Sequence, residues 1–227
     1  MKSHRKAGAA AGALFLIAMA ASLTGGTMIH SVLAPLANAN APSESRGLLL
    51  AGILLELVNG MAVIGIGVLL HPILKAVGER AANGYLCFRV AEAAFCLAAM
   101  IAPMALLKWE TGEAATQEAQ AAGMLLMTVR DCINGLQVPV LFCAGAAILY
   151  SRLYASRLLP RFIPAWGMLG AALILTSNII CLFRPDALDT GLQMAFGLPI
   201  ILNEVFMGCW LVLKGFGPSK LARSVAQ

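Results

Sequence analysis

This sequence has little charge. Only 12% of its residues are Asp, Glu, Lys or Arg, against 60% hydrophobic residues, a balance that excludes an ordinary soluble domain. Histidine is almost missing as well. The three present, His4, His30 and His71, have no partner at metal-ligand spacing, so no zinc or haem centre, and no other metal or cofactor, is expected. The six cysteines all fall within apolar runs and form no CxxC pair, which argues against a disulfide framework and for small packing residues. A nucleophilic hydrolase needs Ser or Cys beside a base, and no histidine reaches the middle of an apolar run. Cys96 is the one thiol near carboxylates, a poor setting for a thiolate nucleophile.

What the chain does have is six apolar runs long enough to cross a bilayer as helices: Ala7–Leu33, Leu48–Leu74, Ala82–Leu107, Gly123–Tyr150, Phe162–Phe183 and Leu192–Leu213. The connections are short. The expectation is therefore an all-α fold, one domain over residues 1–227, built as a polytopic membrane bundle of six transmembrane helices. With the N-terminus inside, eleven basic residues fall in cytoplasmic segments and three (Arg46, Lys108, Arg184) outside, while most loop acids lie outside. The positive-inside rule then puts both termini in the cytoplasm of a bacterial inner membrane. The net charge of +5 is explained by topology and headgroup contacts, and no nucleic-acid role is expected. Ala37-Asn38-Ala39 resembles a signal-peptide cleavage site, but the preceding apolar stretch of about 27 residues is too long for a signal core. An uncleaved first helix, rich in glycine and alanine for close packing, is the reading adopted. The acidic segment Trp109–Ala122 reads as an outer loop able to prolong the fourth helix, and Ser151–Arg161 as an inner loop lying along the membrane surface.

Against this background six charges lie inside the apolar runs: Glu56, Arg89, Glu92, Arg130, Asp131 and Glu204. At about 3 kcal/mol each on insertion scales they would cost roughly 18 kcal/mol without compensating partners. Counting inward from each membrane face places them in one central slab. Tyr85, Arg89, Glu92 and Cys96 follow i, i+4, i+7, i+11 and form one stripe. Arg130, Asn134 and Gln137 keep a similar rhythm with Asp131 beside them, Glu56 shares a face with Asn59, and Asn203 adjoins Glu204. Pro139 and Pro199 each free a carbonyl four residues earlier, at Gly135 and Ala195, close to these charges. Four carboxylates against two guanidiniums leave a formal excess of two acids, to be neutralised by protons or by a cation.

The candidate ligand-binding or proton-exchange residues are therefore Glu56, Asn59, Glu92, Asn203 and Glu204. Tyr85, Arg89, Arg130, Asp131, Asn134 and Gln137 are expected to shape the site. A small-molecule, cation or lipid ligand fits this pattern, with the bilayer as the constant partner; at 227 residues the chain is small for a transporter, which leaves room for a homodimer or a sensor. The competing readings are an intramembrane enzyme acting on a lipid or isoprenoid by carboxylate acid–base chemistry and a non-catalytic accessory subunit whose polar groups only hold helices together.

Several stretches also resemble a known family. Glu56-Leu-Val-Asn59, Val63-Ile-Gly-Ile-Gly67, Pro72-Ile-Leu-Lys75 and Gly84-Tyr85…Arg89…Glu92 are similar to the bacterial membrane family catalogued as domain of unknown function 4386. So are Leu149-Tyr150…Ser156-Arg157-Leu-Leu-Pro160-Arg161…Trp166-Gly167 and Gly197-Leu-Pro199…Asn203-Glu204…Trp210-Leu-Val-Leu-Lys214-Gly215-Phe216. The resemblance covers nearly the whole chain. It implies a small multi-helix inner-membrane protein and carries no activity with it. His71 departs from the family pattern, which has an aromatic residue before the proline.

Overall fold

The computed structural model describes residues 2–36, 45–109, 117–184 and 186–217, and every regular element among them is a helix. In chain order these are α1 (Lys2–Leu36), α2 (Ser45–Lys75), α3 (Glu79–Ala98), α4 (Ile101–Trp109), α5 (Gln117–Cys132), α6 (Val138–Ser156), α7 (Phe162–Phe183) and α8 (Thr190–Leu213). A π-helical turn, Ile133–Gln137, joins α5 to α6. Together they make six spans long and apolar enough to cross a membrane: Arg5–Leu33, Arg46–Lys75, Glu79–Leu107, Gly123–Ser156, Phe162–Phe183 and Thr190–Leu213. This is the architecture of a multi-pass membrane protein. Large apolar side chains such as Leu54, Met61, Val68 and Leu169 are exposed on its outside, as lipid contact requires.

Short connections make consecutive spans neighbours, and they close into a ring. α1 packs on α2, α2 on α3, α3 on α6, α6 on α7, α7 on α8, and α8 returns to α1. Glycine sets the closest approaches. A Cβ on Gly25 would lie 2.9 Å from the Gly52 carbonyl, and one on Gly12 2.6 Å from the Gly208 carbonyl. The backbone of α1 thus lies almost directly against α2 at one level and α8 at another. Lipid supplies no hydrophobic force between helices, so such contacts carry the packing.

Two spans are interrupted, each at a proline. Pro103 has no N–H and its ring crowds the Ala99 carbonyl, so α3 ends at Ala98 and α4 begins at Ile101. The Met100 amide bonds back to the Leu97 carbonyl at 3.1 Å, tightening the break. In the fourth span Pro139 cannot bond to Gly135. The chain responds with the wide turn, in which the Val138 amide reaches the Ile133 carbonyl. α8, by contrast, runs unbroken through Pro199.

One local expectation needs adjustment. The segment from Ser151 is helical through Ser156, because Ala146, Leu149, Tyr150 and Leu153 continue one buried helical face. The helix stops where Arg157 adopts a left-handed conformation, φ 55°. At the other loop, α5 already begins at Gln117, whereas 110–116 and Ala37-Asn38-Ala39 lie outside the described residues.

Candidate functional site in the bundle interior

The stripe on α3 is the spine of the site: Tyr85, Arg89, Glu92 and Cys96 are all buried. Arg89 donates from Nη1 to Glu92 Oε2 at 2.7 Å, a pair one helical turn long. Its guanidinium carbon also lies 5.9 Å from the Phe15 ring centre and 5.8 Å from those of Tyr85 and Phe142. Three rings from α1, α3 and α6 therefore enclose the cation. Room for its stem comes from glycine on both neighbours. A Cβ on Gly67 of α2 would stand 3.1 Å from Arg89 Cβ, and one on Gly145 of α6 3.9 Å from Arg89 Cδ.

Glu204 approaches this group from α8. It shares a helix face with Ile200, Met207, Gly208 and Leu211, all buried, yet is itself only partly buried. Arg89 and Glu92 are the charges that act on its carboxylate, but among the described residues it makes no hydrogen bond or ion pair. Tyr150, fully buried with its ring against Gly167, lies within its field as well.

Glu56 forms a second centre further along α2. Its Oε2 accepts from Asn59 Nδ2 at 3.2 Å, and Arg130 is the basic residue that acts on it. Gly25 and Gly26 of α1 leave space beside it: Cβ atoms there would lie 3.2 Å from Glu56 Cγ and 3.5 Å from Oε1. Cys96, buried on the same stripe, is near enough to both centres for the charges of Glu92, Glu56 and Arg89 to act on it.

The other predicted site residues are dispersed. Asn203 is fully buried, but its Nδ2 donates to the Ile163 carbonyl at 2.8 Å and ties α8 to α7. Arg130 is buried while Asp131, 3.6 Å away, is 69% exposed and points outward. Asn134 and Gln137 are half-buried, and Gln137 Oε1 is buried without a partner among the described residues. No cluster of His, Cys, Asp and Glu that could hold a metal occurs among the described residues.

Sequence reasoning missed Phe15, Phe142 and Tyr150, since an aromatic residue within an apolar run carries no mark of its neighbours. The glycines Gly67 and Gly145 were the only available signal. His71 also has a defined place: its Nε2 lies 2.9 Å from Asn83 Oδ1, linking α2 to α3 away from the charges.

An all-helical, six-span membrane protein with charged side chains gathered inside its bundle is the class that this geometry defines. The chain matches the family described as domain of unknown function (DUF4386) over residues 10–215, and it belongs to that family. No curated protein and no solved structure matches it.

Proposed function

We propose that this is a bacterial inner-membrane protein, with both termini in the cytoplasm, that binds or passes a proton or small cation at Glu204 and Glu56. Glu204 carries the reading. An inward-facing carboxylate with residual accessibility and, among the described residues, no direct partner is costly to keep in a membrane interior. Nearby Arg89 already has Glu92 at 2.7 Å and is enclosed by three rings, so it is held as framework. Glu204 is left free to exchange charge. Asn203 serves packing in this scheme, and Asn59 orients Glu56.

The experiment is reconstitution into liposomes loaded with a pH-sensitive dye and driven by a potassium diffusion potential. Wild-type protein is expected to acidify the lumen faster than empty vesicles, and Glu204→Gln to abolish the excess while remaining monodisperse and helical. Binding without passage is read separately, from the carboxyl band in infrared difference spectra between acid and alkaline pH. A Glu204→Gln protein with wild-type flux and an unchanged carboxyl band would refute the assignment.

A further inference from the structure

The intramembrane charges leave unexplained a second constellation at the end of the bundle where α6 and α8 finish and α7 begins. Residues 157–161 and the end of α8 line an open cavity of about 430 Å³. The two turns are joined by a hydrogen bond from the Gly217 amide to the Leu158 carbonyl at 2.8 Å. Each turn contains a left-handed residue, Arg157 at φ 55° and Gly215 at φ 70°, so the backbone bends around the space. The floor is apolar, with Leu158 and Leu159 buried. Three exposed cations, Arg157, Arg161 and Lys214, line the cavity, and among the described residues no acid does.

One wall is aromatic, and it continues away from the cavity. Trp210, which lines the cavity, lies 6.2 Å from Phe206; Phe206 in turn lies 6.1 Å from Trp166 and 5.7 Å from Phe162. Phe162 and Phe206 are exposed on the outer surface of α7 and α8. Lys214 Nζ stands 4.2 Å over the Trp210 ring, at the junction of the charged and aromatic parts. A free phosphate would use only the cations. An acylated phosphate would use both, its head among the cations and its chain along the rings. Basic pockets between helices at a membrane surface suit anionic headgroups, and interfacial aromatics suit the headgroup boundary.

From this juxtaposition we infer that the cavity is a binding site for one anionic phospholipid of the surrounding bilayer. The phosphate is held by Arg157, Arg161 and Lys214, and an acyl chain lies along Trp210 and Phe206. The site is independent of the buried carboxylates and stands whether or not they exchange protons.

Native mass spectrometry of the full chain tests it, with phosphatidylglycerol and phosphatidylcholine as probes. The wild type is expected to retain phosphatidylglycerol in preference to phosphatidylcholine. The triple variant Arg157→Gln/Arg161→Gln/Lys214→Gln is expected to lose that retention by roughly tenfold or more. A control removing Lys75, Arg80 and Arg152, basic residues elsewhere, should retain it, and Phe206→Ala should weaken it without loss of charge. Equal retention of the two lipids by the wild type overturns the site, and so does an equal loss in the control triple. Inorganic phosphate that displaces phosphatidylglycerol at millimolar levels, with Phe206→Ala silent, would assign the cavity to free phosphate instead. If the triple variant does not fold, the wild-type lipid preference and Phe206→Ala decide the question.

Discussion

Removal of Arg89 and removal of Glu92 should not be equivalent, although the two form one ion pair. At 2.7 Å between Nη1 and Oε2, charge centres about 4 Å apart attract by about 4 kcal/mol at an effective dielectric of about 20. Truncating one partner of such a buried pair costs about 3–5 kcal/mol. In Arg89→Met the cost should lie at the top of that range, because Glu92 and Glu204 then face each other without the guanidinium that acts on both. In Glu92→Gln the guanidinium keeps an acceptor in the new amide and the field of Glu204, so about 1–2 kcal/mol is expected. The double variant Arg89→Met/Glu92→Gln should be more stable than Arg89→Met alone, since it removes one of the two stranded acids. Unfolding of the purified protein in mixed micelles, followed by circular dichroism and extrapolated to zero denaturant, measures all three. Equal costs for the two single variants would show that Glu204 is not coupled to the pair, and strict additivity in the double would show that Arg89 and Glu92 do not stabilise each other.

Two further outcomes follow from the packing. Gly12→Leu should force α1 from α8, since even a Cβ there meets the Gly208 carbonyl at 2.6 Å; a loss of about 2–3 kcal/mol in the same titration is expected, and a wild-type midpoint would refute the contact. Asn203→Leu removes the bond to the Ile163 carbonyl. It should cost about 0.6–1.7 kcal/mol, the range for interhelical bonds in membranes, while leaving liposome flux unchanged; loss of flux in stable Asn203→Leu protein would return Asn203 to the exchange site.

How much of this was legible in the sequence depends on whether a helix is regular. The six spans and the α3 stripe follow from hydropathy and the helical period, and Tyr85, Arg89, Glu92 and Cys96 are buried together because α3 has no break across them. The fourth span defeats the same argument. Its face, Arg130, Asn134 and Gln137, was counted at an α-helical period, but the π turn over Ile133–Gln137 widens the helix where the count matters. Proline announced an irregularity there without giving its form, and Pro103 gave a break where none was counted. Adjacency in sequence also misled for Asn203 and Glu204. Neighbours on a helix point about 100° apart, so Asn203 turns to α7 and Glu204 to Arg89.

The formal count of charges changes once the side chains are placed. Four acids against two bases in the apolar runs become three against two in the interior, because Asp131 faces outward. Of those three, Glu92 is bonded to Arg89 and Glu56 to Asn59, with Arg130 acting on it. The excess acid therefore has an address. Glu56 and Glu204 look alike in sequence, each without a basic residue near it on its own helix, but they differ in what surrounds them. Glu56 has an amide donor and a glycine-lined recess shaped to it, the surroundings of a carboxylate held in one position. Glu204 has neighbouring charges but, among the described residues, no bond to fix it, and it keeps accessibility on an otherwise buried face. Under the proposed function, a charge that is placed but not fastened is the one an incoming proton or cation would engage without first breaking a hydrogen bond.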